Sequence, residues 1–244
     1  MKKLKDSAFV SLIAIFAAFN VVCDSLLGPP LPFSGVWYSW IFISEPITGI
    51  ILGPWAGFFS SFIGVMIGHF VYFRGVEEFL FTVGAPVGTM ISALIFRGKW
   101  KIALIYYMTL LGAFFATPIA WQLPFWGMWD VYLAFSCLPV LAFVMRRGRN
   151  LRNNKSTSIR LLYIVALCTF IGLEADVLFR IFILIPCQTY RVFFDFDVGA
   201  LQSIWVVGAV ETSIKATLST LVSMMVVPII ITAVRKMGLT LSKD

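Results

Sequence analysis

The chain has 244 residues, of which 60% are hydrophobic and 13% charged, with a mean hydropathy of +0.93. A soluble domain carries about 25% charged residues, so a soluble fold is excluded and a polytopic membrane protein is expected. The net charge of +7 does not point to nucleic acid, because most Lys and Arg sit in short clusters between apolar runs, where the orientation rule for membrane proteins accounts for them.

In lipid, helices satisfy their own backbones, so the apolar runs predict an all-α membrane bundle forming a single integral domain over residues 1–244. Eight segments can be drawn, roughly 7–27, 36–52, 54–73, 79–96, 102–121, 129–145, 161–186 and 203–234, against the ~20 residues a crossing needs. The first, within MKKLKDSAFVSLIAIFAAFNVV, is read as a retained helix, since no clear small-x-small cleavage signal follows it. The sixth is short and a candidate re-entrant segment, which leaves six helices with an irregular middle as the alternative. LGPWAG, between the second and third, has no charge to fix its side.

Charge then orients the bundle. One set of helix ends holds Lys2, Lys3 and Lys5, then Arg97, Lys99 and Lys101, then the basic stretch 146–160, and finally Arg235, Lys236 and Lys243. The other set holds Arg74 and Arg191 with Glu77, Glu78, Asp130, Asp195 and Asp197. This asymmetry predicts cytoplasmic termini and a multi-pass protein of the cell membrane. The basic stretch reads as a solvated loop able to meet anionic lipid headgroups. On the outside, segments 28–39 and 187–203 are rich in aromatics, as an interfacial belt or a lid would be.

Ionisable groups inside the spans are costly and mark candidate sites. They are Asp24, Glu45, His69, Glu174, Asp176, Arg180, Glu211 and Lys215. Asp176 and Arg180 are spaced to pair on one helix face, as are Glu211 and Lys215. Glu174 lies about 160° around the helix from Asp176, so one narrow stripe cannot hold both. Taking the expected segment ends, Arg180 sits roughly 9 Å, Glu211 roughly 12 Å, and Glu174 and Lys215 roughly 18 Å below the outer surface. A cup open to the outside is therefore expected, with these groups binding a polar or zwitterionic solute. The structural alternative is ion pairs that lock helices together, with His69 a hydrogen-bonded interface residue and Glu45 marking a kink before Pro46.

Cys23, Cys137, Cys168 and Cys187 show no CxxC spacing and His69 is the lone histidine, so no metal site is expected. A disulfide between Cys23 and Cys187, both near the outer face, is left open. No cofactor and no catalytic constellation is read. Glu77 and Glu78 in VEEFLF are paired carboxylates without a nucleophile or second His beside them.

Small residues recur at four-residue spacing: Ala14/Ala18, Gly53/Gly57, Gly64/Gly68 and Gly84/Gly88, which in lipid permits close helix approach. The run AFVSLIAIFAAFNVV, a Pro-rich outer loop, and IILGPWAGFFSSFIGVMIG together resemble the substrate-binding S component of energy-coupling factor (ECF) transporters. GAPVGTMISALIFRGKWK is similar to that family's fourth helix, and ETSIKATLSTLVSMMVVPIIITAVRKMG to its last. The resemblance covers about residues 7–120 and 205–238. It implies a subunit that captures a vitamin-like or other small solute, with Ala14 and Ala18 meeting a transmembrane coupling subunit and two ABC-type ATPases driving uptake. It implies 28–39 as the gating loop. The family usually has six helices, so the extra pair falls within 121–200. The other classes weighed are a stand-alone proton-coupled secondary transporter, an intramembrane enzyme and a membrane scaffold. No internal repeat supports the first of these.

Overall fold

The computed structural model describes residues 2–3, 6–26, 39–147, 156–236 and 239–240. Most of the aromatic segment 28–39 and the centre of the basic segment 146–160 lie outside the described residues.

The helices follow the apolar runs and break where the backbone chemistry changes. Helix α1 (Asp6–Ser25) is followed, after Trp40, by α2 (Ile41–Leu52). Gly53 then adopts φ 96°, a conformation that side chains strain. Pro54, which suits a first helical turn, opens α3 (Pro54–Val71). This is the physical content of the uncharged LGPWAG: a tight reversal between α2 and α3. A short α4 (Glu78–Thr82) leads into α5 (Gly84–Phe96), and α6 (Trp100–Ala116) into two 3-10 turns, Pro118–Gln122 and Phe125–Met128. Then come α7 (Trp129–Arg147), α8 (Ser156–Leu184), the single turn α9 (Thr189–Val192) and α10 (Val198–Lys236).

Among the described residues, six helical stretches are long and apolar enough to cross a membrane: Ser7–Ser25, Pro54–Val71, Glu78–Phe96, Phe125–Met145, Ile159–Leu184 and Val198–Val234. The expectation of eight spans thus reduces to six of sufficient length plus two shorter apolar helices, α2 and α6. The short segment is the second rather than the sixth: α2 has 12 residues, about 18 Å of rise. At 39 residues, α10 rises about 58 Å, well beyond a hydrocarbon core of about 30 Å.

Helix α8 is central, packing against α5, α10, α7, α6 and α2. Region 121–200, expected as an added helical pair, therefore supplies this central element. Ile95, Leu138, Leu141, Ile171 and Leu178 are fully buried around it. Tyr107 and Tyr106 donate hydrogen bonds of 2.7 Å to the Ile171 and Ala175 carbonyls of α8. Large apolar side chains such as Ile15, Trp55, Phe59, Ile105 and Met225 lie exposed on the outside, as lipid contact requires. Lys2–Lys3 and Leu239–Thr240 pair in parallel, so the two chain ends lie on the same side of the bundle.

Candidate functional site

Helices α1, α3 and α8 end, and α4, α7 and α10 begin, at one end of the bundle. Between them is a cavity of about 280 Å³. Its apolar walls include Phe42, Phe81, Leu173, Val177 and Trp205. Its charged lining draws on α1 for Asp24, the α3–α4 link for Arg74, α4 for Glu78 and α7 for Asp130. Asp176 and Arg180 come from α8, Glu211 and Lys215 from α10.

Close helix approach places these groups. A Cβ on Gly84 of α5 would lie 1.9 Å from Asp176 Oδ1, and one on Gly68 of α3 would lie 2.6 Å from Asp24 Oδ2. Those glycines thus leave the room that two cavity carboxylates occupy. One turn further down, Gly172 of α8 faces Ser92 and the Gly88 carbonyl of α5, where a Cβ would come within 1.7 Å of Ser92 Oγ. The small-xxx-small pairs Gly64/Gly68 and Gly84/Gly88 are therefore spent on packing within the chain.

The carboxylates are then paired locally, since an unpaired charge out of water is expensive. Arg180 donates to Asp176 from Nε (2.7 Å) and Nη2 (3.0 Å). Arg74 Nη2 donates to Asp24 Oδ2 at 2.5 Å and Ser39 Oγ to Asp24 Oδ1 at 2.8 Å. Lys215 pairs with Glu211 one turn away. Asp130 receives the Val131 N–H at 2.9 Å, the Ser213 hydroxyl at 3.2 Å and the Thr212 hydroxyl. Glu78 makes no side-chain hydrogen bond or ion pair with any described residue.

Of the eight ionisable residues singled out in the sequence, Asp24, Asp176, Arg180, Glu211 and Lys215 line the cavity. Glu45, His69 and Glu174 do not. Glu45 is fully buried beside Gly88, against which Asp176 Cβ also packs. Glu174 is fully buried too, on the α8 face turned away from Asp176. Neither glutamate has a hydrogen-bond partner for either carboxyl oxygen among the described residues. His69 Nε2 lies 2.9 Å from the Gly75 carbonyl oxygen, and its ring packs on Phe79 with centroids 3.9 Å apart. It thereby braces the turn that delivers Arg74.

Sequence reasoning placed Arg74, Glu78 and Asp130 in outer loops and missed them as site residues. Their available signal was position: each flanks a span at the end where Asp24 and Arg180 also lie. On α1, Ala17 and Asn20 are buried against α3, with Asn20 Cβ 2.3 Å from a would-be Cβ on Gly64. Ala14 and Ala18 lie on the exposed face of α1 instead.

The four cysteines are free, so Cys23 and Cys187 form no disulfide here. Among the described residues, no group of three or more His, Cys, Asp or Glu side chains is placed to hold a metal ion. Comparison of the chain with protein-family models, curated proteins and solved structures gives no match.

Proposed function

We propose that this chain is the substrate-capture subunit of an ECF-type transporter in the cell membrane, holding a small polar or vitamin-like solute in the cavity between α1, α4, α7, α8 and α10. The observation that carries this reading is the cavity itself. It gathers charged side chains from five helices and one link at a single end of the bundle, within apolar and aromatic walls. Such concave, mostly apolar sites with a few convergent polar groups are the usual form of a ligand pocket.

Orientation follows from charge. Arg97, Lys99, Lys101, Arg160 and Lys236 sit at helix ends opposite the cavity, so by the orientation rule the cavity opens outward and both termini are cytoplasmic. In this reading α2 and α6 complete eight crossings, with the turn at Gly53 and the 3-10 turns after Thr117 lying at headgroup depth. The exposed Ala14/Ala18 face of α1 takes the coupling helices of a separate membrane subunit. Two ABC-type ATPases supply the energy, since the chain carries no phosphate-binding loop motif of its own.

A second reading, a stand-alone proton-coupled transporter, is favoured by the fully buried Glu45 and Glu174, whose carboxyl oxygens have no hydrogen-bond partner among the described residues. Affinity purification in mild detergent with mass spectrometry separates the two. Recovery of ABC-type ATPases and a second membrane subunit, depleted by Ala14→Leu or Ala18→Leu, supports the capture subunit. Recovery of the chain alone, with solute uptake into proteoliposomes driven by a pH gradient and lost in Glu174→Gln, contradicts it.

A further inference from the structure

We propose that the cavity selects an organic cation: a protonated amine or quaternary ammonium carried on an apolar body. This rests on the reading of the cavity as a ligand site, and the argument is one of charge accounting. The lining holds five carboxyl groups and three cationic side chains. Each cation faces its own carboxylate: Arg74 with Asp24, Arg180 with Asp176, Lys215 with Glu211. The lining thus holds two more carboxyls than cations. Among the described residues Asp130 receives only hydroxyl and backbone N–H donors, and Glu78 makes no ion pair, although Arg180 and Arg74, each already bonded to another carboxylate, lie near enough to act on it.

A ligand entering this space displaces the water that solvates those two groups. A neutral or anionic ligand would leave them uncompensated in an apolar surrounding, which is costly. A cation supplies the missing charge. The walls fit the rest of such a molecule. Trp205 lines the cavity and is only 5% exposed, its ring stacked on Phe114 at 5.7 Å. Phe81 and Phe42 line it as well, so aromatic faces are available to an ammonium group. The cavity of about 280 Å³ lies at the small end of ligand pockets, which start at about 300 Å³, and suits a one-ring amine.

The test is equilibrium dialysis of the full chain, purified in detergent, against 2-phenylethylamine, 2-phenylethanol and phenylacetate, three probes alike in body and different in charge. Saturable binding of the amine, roughly 10- to 100-fold tighter than the alcohol, with no binding of phenylacetate, is expected. Glu78→Gln is expected to weaken amine binding roughly tenfold while leaving the alcohol unchanged, and Glu78→Lys, which balances the acids and cations of the lining, to abolish the preference for the amine over the alcohol. Glu77→Gln, one residue outside the lining, is expected to bind as the parent does. Equal binding of the three probes, a preference of the parent for phenylacetate, or no saturable amine binding overturns the proposal. The readout needs no partner subunit, so failure here is distinct from failure to recover ATPases.

Discussion

Gly84→Ala is the sharpest probe of how the fold builds the site. The added methyl would stand 1.9 Å from Asp176 Oδ1, 3.1 Å from its Cγ and 3.2 Å from Arg180 Nε. A normal carbon–oxygen contact needs well over an ångström more, so either α5 and α8 separate or the carboxylate swings away from Arg180. Overpacking of this kind costs about 1–3 kcal/mol, and for a chain of this size each kcal/mol lowers Tm by about 2–4 °C. A drop of roughly 2–12 °C in thermal unfolding of the detergent-solubilised protein is therefore expected. A double-mutant cycle isolates the cause: in an Asp176→Ala background, Gly84→Ala is expected to cost much less, because only Arg180 Nε at 3.2 Å, on a side chain that can give way, remains of the atoms it meets. An equal cost in both backgrounds would refute the contact between α5 and α8 at this level. A Gly84→Ala protein as stable as the parent would refute it too.

Further outcomes follow from the same helices. Gly172→Ala strikes Ser92 Oγ at 1.7 Å and Ser92 Cβ at 2.8 Å, so it is expected to destabilise by about 1–3 kcal/mol. Ser92→Gly is expected to recover most of that loss, read as a coupling energy in the cycle. Glu174→Gln changes a carboxyl that has no hydrogen-bond partner among the described residues, so it is expected to shift stability by no more than about 1 kcal/mol. Asp176→Asn, which loses the charge and one of the two acceptors for Arg180, is expected to lose about 1.5–3 kcal/mol, near the lower end because the Arg180 side chain is 37% exposed. Thermal unfolding of the two variants side by side checks the order.

The bundle was legible because lipid leaves few options: apolar runs become helices, and every run drawn from the sequence has a helix in it. The ends were not. Hydropathy alone extends the second run back to residue 36, whereas α2 begins at Ile41 after Trp40 donates its backbone N–H to the Cys23 carbonyl at 3.0 Å. The last helix starts at Val198, earlier than its apolar run. Asp197 accepts the Ala200 N–H there at 2.7 Å, and Gln202 donates to the Gln122 carbonyl at 2.8 Å. Both contacts are invisible to a hydropathy window.

The same division runs through the site. Helical spacing correctly paired Asp176 with Arg180 and Glu211 with Lys215, and correctly split Glu174 from Asp176, because those relations are local. Asp130 escaped because its partners, Thr212 and Ser213, stand on another helix about eighty positions away. Arg74 escaped because its carboxylate, Asp24, is brought to it only by the α1–α3 packing. Glu45 and His69 share the buried polar character of the cavity residues, and only the packing excludes them from the lining.

The central claim, that this cavity holds a solute, is tested most directly by filling it. Gly208 lines the cavity, and a Cβ built on it meets nothing within 4 Å, so a large side chain there enters empty space without straining the helix. The measurement is native mass spectrometry of protein purified from its own membranes, as parent and as Gly208→Phe. The account predicts a small-molecule mass bound to the parent and absent from an equally stable Gly208→Phe. A bound mass that persists in Gly208→Phe, or a parent that carries none under any growth condition, would contradict it.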